Sequence, residues 1–223
     1  MVVVMYEEIR TAVEVVSAIM CFILLRFMIK PYENTGESRY IGLPLGFGFL
    51  GATYFISALV YYIPDVLGEN TIYVQLVART FAFLFIAITY YFSKKPTKNS
   101  QLFVKITLTL LIAVLITLFL ILSLPGITLP RYGTFWNYFR PINLIIILYI
   151  CIHTFRSHIE KPDPETIWIP LGYVFLAVSQ YSLLLFQLDR GLYAFFAALI
   201  LRLVFLFVLL IVSFRVFYRV KEA

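Results

Sequence analysis

Seven apolar stretches of membrane-crossing length constrain this chain more than any other feature: Thr11–Ile29, Ile41–Ile63, Thr71–Phe92, Phe103–Leu124, Tyr138–Phe155, Ile167–Leu188 and Leu192–Phe217. A helix needs roughly 20 mostly apolar residues to cross about 30 Å of hydrocarbon. Backbone groups in lipid must be paired internally, which helices of these lengths achieve and isolated strands do not. Chain breakers fall between the stretches: Pro31 with Asn34 and Gly36, Pro64 with Gly68, Pro96 with Asn99, Pro125 with Gly126, and Pro162 with Pro164. The stretches use most of the 223 residues, so the sequence predicts one all-α integral membrane domain over 1–223. Composition points the same way. Hydrophobic residues make up 62% of the chain and charged residues 13%, against about 25% charged in soluble domains. The first stretch follows Glu7 and Glu8 and has no small-residue cleavage site, so it reads as a retained helix rather than a signal peptide.

The net charge of +6 suggests nucleic acid only until the cations are placed. Arg26, Lys30, Arg39, Lys94, Lys95, Lys98, Lys105, Arg156, Lys161, Arg215, Arg219 and Lys221 fall on one side of the expected spans. Arg10, Arg131, Arg140 and Arg190 fall on the other, and Arg79 and Arg202 lie inside spans. Lys and Arg are retained on the cytoplasmic side. The bias therefore predicts a cell-membrane protein with its N-terminus outside and its C-terminus in the cytoplasm, the lipid bilayer as its partner, and no nucleic acid. Tyr61, Tyr62, Tyr132 and Trp136 would join the outer aromatic belt, and Tyr90, Tyr91 and Trp168 the inner one.

The chain also matches itself. At a shift of 126, Pro44/Pro170, Leu45/Leu171, Gly46/Gly172, Phe49/Phe175, Leu50/Leu176 and Leu59/Leu185 coincide within 44–62 and 170–188. Arg10, Cys21 and Arg26 match Arg140, Cys151 and Arg156 at a constant shift, and Arg79 corresponds to Arg202 in the third helix of each set. The expected architecture is two parallel three-helix repeats, about 6–95 and 136–219, joined by a linker helix at about 101–125. Three spans plus one restore the orientation, so the repeats are related by an axis along the membrane normal. Pro44 and Pro170 read as helix starts, because proline is tolerated in a first turn.

Charges inside spans are the sharpest candidates for function. Arg79 and Arg202 lie about two turns from the outer ends of their helices, where a charge costs at least ~2.5–3.5 kcal/mol. Glu14 is the acid nearest that depth, and Asp65, Glu69 and Asp189 flank it in the outer loops. Two readings stand: ion pairs that lock helices together, or an outward-facing cationic pocket for an anionic ligand. Thr53, Tyr54 and Ser57 face Ser179, Gln180, Ser182 and Gln187 across the expected bundle. These polar residues supply either interhelical hydrogen bonds or the lining of a solute site. The candidate ligand or ion-pair network is Arg79, Arg202, Glu14, Tyr54 and Gln180. Cys21 and Cys151 lie in apolar spans and read as packing residues. His153 and His158 are five apart, on different helix faces, without the clustered ligands a metal needs. No phosphate loop, Ser/His/Asp set or intramembrane carboxylate pair is present. The expectation is therefore no enzyme, no cofactor and no metal.

The run Ala78-Arg79-Thr80-Phe81-Ala82-Phe83-Leu84-Phe85 resembles helix C of the microbial rhodopsins, in which Ala-Arg is followed by an aromatic and Leu-Phe. The resemblance implies a rhodopsin-like seven-helix fold with an outside N-terminus. The chain departs from that family where the chromophore would bind. Ala82 stands at the acidic counter-ion position, no Lys occurs between Lys161 and Lys221, and the only tryptophans, Trp136 and Trp168, sit at helix ends. The resemblance thus implies the scaffold without retinal. The three-plus-one-plus-three arrangement is also similar to the sugar-transporting SWEET and PQ-loop proteins, although neither Thr11–Ile29 nor Tyr138–Phe155 contains a Pro-Gln pair.

Together these features lead to the expectation of a non-catalytic, receptor- or sensor-type membrane protein. It would bind a small or lipophilic ligand between its helices, or a partner membrane protein. A small-solute transporter of the SWEET/PQ-loop type and an accessory subunit of a membrane complex are the alternatives.

Overall fold

The computed structural model describes residues 2–62, 70–92, 98–124, 132–160, 162, 164, 166–189 and 191–219. Several sequence expectations lie outside the described residues. They are the breakers Pro64, Gly68, Pro96, Pro125 and Gly126, the acids Asp65 and Glu69, and the cations Lys94, Lys95, Arg131, Lys161, Arg190 and Lys221. The side chains of Tyr61, Tyr62, Lys98, Tyr132 and Arg219 lie outside them too.

Seven long helices form: α1 (Val2–Thr35), α2 (Gly42–Tyr62), α3 (Asn70–Phe92), α4 (Lys98–Ser123), α5 (Tyr132–Glu160), α6 (Trp168–Asp189) and α7 (Leu192–Arg219). All seven contain a segment long and apolar enough to cross a membrane. The chain is an all-α membrane protein with seven helices of transmembrane length.

Several helices run past the expected boundaries, α4 among them, which starts five residues before Phe103. Helix α1 continues through Pro31 to Thr35, and α5 starts six residues before Tyr138 and contains Pro141. A proline removes one backbone donor but leaves the remaining ladder intact, and neighbouring groups re-satisfy the freed carbonyls. What ends α1 is Gly36, whose φ of 65° turns the chain left-handed while its N–H still donates to the Tyr32 carbonyl at 2.8 Å. A short 3-10 turn over Ser38–Tyr40 leads into α2.

Six helices close into a ring, each packed on the next in the order α1, α2, α3, α5, α6, α7 and back to α1. Helix α4 stands outside it and packs on α3 and the 3-10 turn. Its buried face is the stripe Val104, Leu108, Leu115 and Leu122, at helical spacing, set against Val77, Phe81 and Phe85 of α3. Its opposite face exposes Leu102, Phe103, Ile106, Leu110 and Leu120, as a lipid-facing helix does. The core inside the ring draws on all six helices, with Leu24, Phe47, Leu50, Phe83, Ile86, Ile147, Ile150, Leu176, Phe205 and Leu206 almost wholly buried.

Helix α2 is seated by its glycines. A Cβ at Gly46 would come within 2.9 Å of the Ala82 carbonyl oxygen, and one at Gly42 would collide with Phe85 and Thr89 of α3. On its other side Gly51 would meet Cys21 at 3.2 Å. Small residues let membrane helices approach backbone to backbone, where dispersion and weak hydrogen bonds replace a hydrophobic driving force.

Tyr90 does not join an inner aromatic belt. It turns into the bundle, and its hydroxyl donates to Tyr173 at 3.2 Å. Tyr91 and Trp168 are exposed at the same end.

Candidate functional site

The intramembrane charges meet. Arg202 of α7 donates through Nη1 to Glu14 Oε1 at 3.1 Å, linking residues 188 apart in sequence. Arg79 of α3 faces the other carboxylate oxygen, with Nη2 3.7 Å from Oε2, and its Nε donates to Thr53 Oγ1 at 3.4 Å. Only 3% of the Glu14 side chain is exposed, against 6% for Arg202 and 14% for Arg79. Tyr54 of α2 supports both cations, its ring centre 4.9 Å from the Arg79 guanidinium carbon and 4.4 Å from that of Arg202. One carboxylate shared by two guanidiniums compensates half their charge, and the Tyr54 ring supplies part of the remainder.

The ring brings two further arginines to the same end. Arg140, placed by the sequence at the outer flank, is 5% exposed and lies in the third turn of α5. Its Nη1 donates to Gln180 Oε1 at 3.0 Å, and its guanidinium stacks 4.5 Å from the Trp136 ring. Trp136 therefore lies under a cation rather than serving the aromatic belt alone. Arg10, one turn before Glu14, lies 5.5 Å from the Phe195 ring of α7.

These groups border a cavity of about 330 Å³ at the end where α1, α3, α5 and α7 begin and α2 and α6 finish. Its charged lining is Arg10, Glu14, Arg79, Arg140 and Arg202. Polar residues Ser57, Gln75 and Ser179 and apolar residues such as Leu76, Leu183 and Phe186 complete the wall. The described lining thus holds four guanidiniums and one carboxylate. Elsewhere the interior of the ring is filled by the apolar core that includes Leu50, Phe83, Ile147 and Leu176.

Hydrogen-bond supply at the site is lopsided. Arg202 Nε and Nη2 and Gln75 Nε2 are buried and make no hydrogen bond, and Arg79 Nη2 and Glu14 Oε2 meet as an ion pair at 3.7 Å rather than as a hydrogen bond. A buried donor without an acceptor costs about 1–3 kcal/mol, more if charged. Anions with oxygen acceptors are what such a set can hold.

Of the five network residues singled out from the sequence, Glu14, Arg79 and Arg202 line the cavity, and Tyr54 lies against both guanidiniums. Gln180 is connected through Arg140 rather than through the Glu14 cluster. Sequence reasoning missed Arg10 and Arg140 as cavity residues. The signal available was their correspondence at one shift, together with the aromatic residues that accompany each. Ser179 Oγ donates to the Ala198 carbonyl at 2.8 Å, tying α6 to α7, and Gln187 bonds to Asn137 of α5. Ala82, at the rhodopsin counter-ion position, is fully buried where α2 and α3 touch. Cys21 and Cys151 are free and buried. His158 bonds to Thr166 at 3.1 Å, and His153 sits among Tyr90 and Tyr149. Among the described residues no group of three His, Cys, Asp or Glu is placed to hold a metal ion. No family model, curated protein or solved structure matches the chain.

Proposed function

We propose that this chain is a non-catalytic, receptor-type membrane protein, rhodopsin-like in scaffold and without retinal, that binds a small anionic ligand in the cavity at the outer end of its helix ring. The observation that carries this reading is the lining, in which Arg10, Arg79, Arg140 and Arg202 converge with Glu14 on a wall that also holds Ser57, Gln75 and Ser179 among apolar residues. Charges inside a membrane bundle are costly, face the interior and mark ligand or ion sites. A concave apolar pocket with a few convergent polar groups is the usual form of a ligand site, and 330 Å³ is at the small end of that range.

The orientation belongs to the same reading. The cavity lies at the end of the helices away from Arg26, Lys30, Arg39, Arg156 and Arg215, which the charge bias assigns to the cytoplasm, so in this reading the ligand arrives from outside. Two parallel three-helix repeats with α4 as linker agree with the ring order and with α4 standing outside it.

Native mass spectrometry of the gently solubilised protein tests the proposal. A small anion retained by the wild type and by Arg26→Leu, and lost from Arg79→Leu and Arg202→Leu, is the expected result. A protein that carries no ligand, and whose melting is unmoved by any small anion, overturns it.

A second reading, a small-solute transporter that rocks one three-helix group against the other, is favoured by one observation. Among the described residues the groups pack most closely at two junctions, α3 on α5 and α1 on α7. Glu14 and Arg202 bridge one junction. Uptake of the bound anion into liposomes would establish transport, and binding without flux would leave the receptor reading.

A further inference from the structure

We infer that a groove on the α6/α7 face of the bundle holds one anionic phospholipid, its acyl chain lying along α7 and its phosphate meeting Arg215. The groove is at the opposite end of the helices from the charged cavity, and it stands or falls independently of the anion reading.

The groove has a volume of about 250 Å³. One face of α7 forms most of it, with Phe207, Val208, Ile211, Val212, Arg215 and Val216 at helical spacing, and Trp168, the first residue of α6, completes the wall. Phe207, Ile211, Val216 and Trp168 are exposed. The groove therefore opens outward from the bundle, where a membrane protein meets acyl chains rather than water.

Its length matches one leaflet. From Phe207 to Val216 α7 rises about 14 Å at 1.5 Å per residue, and half of the roughly 30 Å hydrocarbon core is about 15 Å. The polar markers sit together at one end of that span. Arg215 stands one turn before the end of α7 and Trp168 at the start of α6, the end that carries Arg26, Lys30, Arg39 and Arg156 and that the charge bias assigns to the cytoplasm. A tryptophan at this level sets its ring among acyl chains and its N–H toward the headgroups. A guanidinium there can offer paired N–H groups to phosphate oxygens.

Charge selects the headgroup. Arg215 is the one charged residue among the described lining residues. Other cations at this end have protein carboxylates, Arg39 with Glu37 and Arg156 with Glu160. Arg215 is exposed and makes no ion pair or hydrogen bond among the described residues. A zwitterionic headgroup brings its own ammonium and gains little beside a cation, whereas an anionic headgroup keeps a net attraction.

The first three-helix group has no equivalent. At the shift of 126 Gly42 stands where Trp168 does, and at the shift that pairs Arg79 with Arg202 Phe92 stands where Arg215 does. A Cβ at Gly42 would collide with α3, while one at Gly172 would meet Val208 of the groove wall at 3.5 Å. Helix α2 is shut against α3 where α6 leaves room beside α7.

Trp168 is one of two tryptophans and serves as the reporter. The full-length protein is reconstituted at low salt into phosphatidylcholine vesicles containing rising fractions of acyl-brominated phosphatidylglycerol or acyl-brominated phosphatidylcholine. Quenching of tryptophan fluorescence gives the relative affinity, and the part lost in Trp168→Phe belongs to Trp168. Phosphatidylglycerol should be preferred about fivefold, the equivalent of about 1 kcal/mol for one cation at an anionic surface. Arg215→Leu should bring the ratio to about one, and Arg215→Lys should keep part of the preference. Val208→Phe fills the groove and should remove the preference with the charge intact. Arg156→Leu, which takes an exposed cation from the same end, should leave the ratio unchanged. Equal quenching of the wild type by both lipids overturns the inference. A loss in Arg156→Leu as large as in Arg215→Leu assigns the preference to diffuse surface charge and overturns the site, and an unchanged ratio in Val208→Phe overturns the groove.

Discussion

Arg79 and Arg202 carry the same group to the same carboxylate, yet the two three-helix groups hold them by different means. In α1–α3, α2 is pressed onto α3 through Gly42 and Gly46, and the Thr53 hydroxyl accepts directly from Arg79 Nε. In α5–α7, Gly172 has space around it, with its nearest would-be contact at 3.5 Å. Ser179, which corresponds to Thr53, reaches instead to the α7 backbone at Ala198. The residues after them part company too. Tyr54 lies against both guanidiniums, while its counterpart Gln180 accepts from Arg140. The contact of α2 with α3 is seated by glycines, whereas α6 is tied to α5 and α7 by polar bonds as well as by packing. Glu14 belongs to the first group and binds Arg202, a buried cation of the second.

Removing that shared carboxylate should have the largest effect. Glu14→Gln keeps the shape and leaves two buried guanidiniums without a counter-charge, and breaking a buried pair costs about 3–5 kcal/mol. Thermal melting in detergent should show a large loss. An unchanged melting temperature would mean that the cations are balanced elsewhere and that Glu14 is not the hub.

The two arginines should then separate. Arg202→Leu removes a short, buried contact and should cost about 2–4 kcal/mol. Arg79→Leu removes a longer contact from a less deeply buried side chain and should cost less than Arg202→Leu. Equal losses would show that the asymmetry in their distances to Glu14 has no energetic counterpart. Arg26→Leu, outside the cavity, is the control.

The glycines offer a contrast in sign. Gly46→Ala pushes a methyl group against the Ala82 carbonyl and Ile86, and overpacking of this kind costs about 1–3 kcal/mol. Gly172→Ala meets ordinary contacts and gains helix propensity, worth roughly 0.5–1 kcal/mol. Melting should fall for the first variant and hold or rise for the second. A matching fall in both would show that the two groups pack alike.

The sequence allows parts of this comparison to be read and hides others. The seven helices follow from apolar length alone, because lipid leaves the backbone no alternative to helix. The boundary at Pro31 does not, since a proline within a long helix costs one bond while Gly36 redirects the chain. Facing is harder still. A helix apolar on all sides carries little amphipathic signal, so Tyr90 reads equally as a belt residue or as the inward partner of Tyr173. Glu14, Arg79 and Arg202 stand out in the sequence because charges in spans are rare. Their meeting depends on α1 closing against α7, which no local pattern encodes. Arg140 was hidden because a cation near a helix end serves orientation and a buried site equally well.

The smallest predicted loss of stability tests how the second group positions its cation. Ser179→Ala removes the bond from Ser179 Oγ to the Ala198 carbonyl. That carbonyl lies one turn before Arg202 and keeps its helical bond to the Arg202 N–H, so no acceptor is stranded. Interhelical hydrogen bonds in membranes average about 0.6 kcal/mol, and melting should shift by no more than that implies. Ligand binding should respond more, because Ser179 lines the cavity and fixes the turn of α7 from which Arg202 projects. Thr53→Val is the counterpart in the first group, removing the hydroxyl that Arg79 Nε uses directly. If polar bonds set the position of Arg202 and close packing that of Arg79, Ser179→Ala should weaken binding of the small anion more than Thr53→Val at equal stability. The reverse order would place the finer control of the site in α2 and its glycine-seated contact with α3.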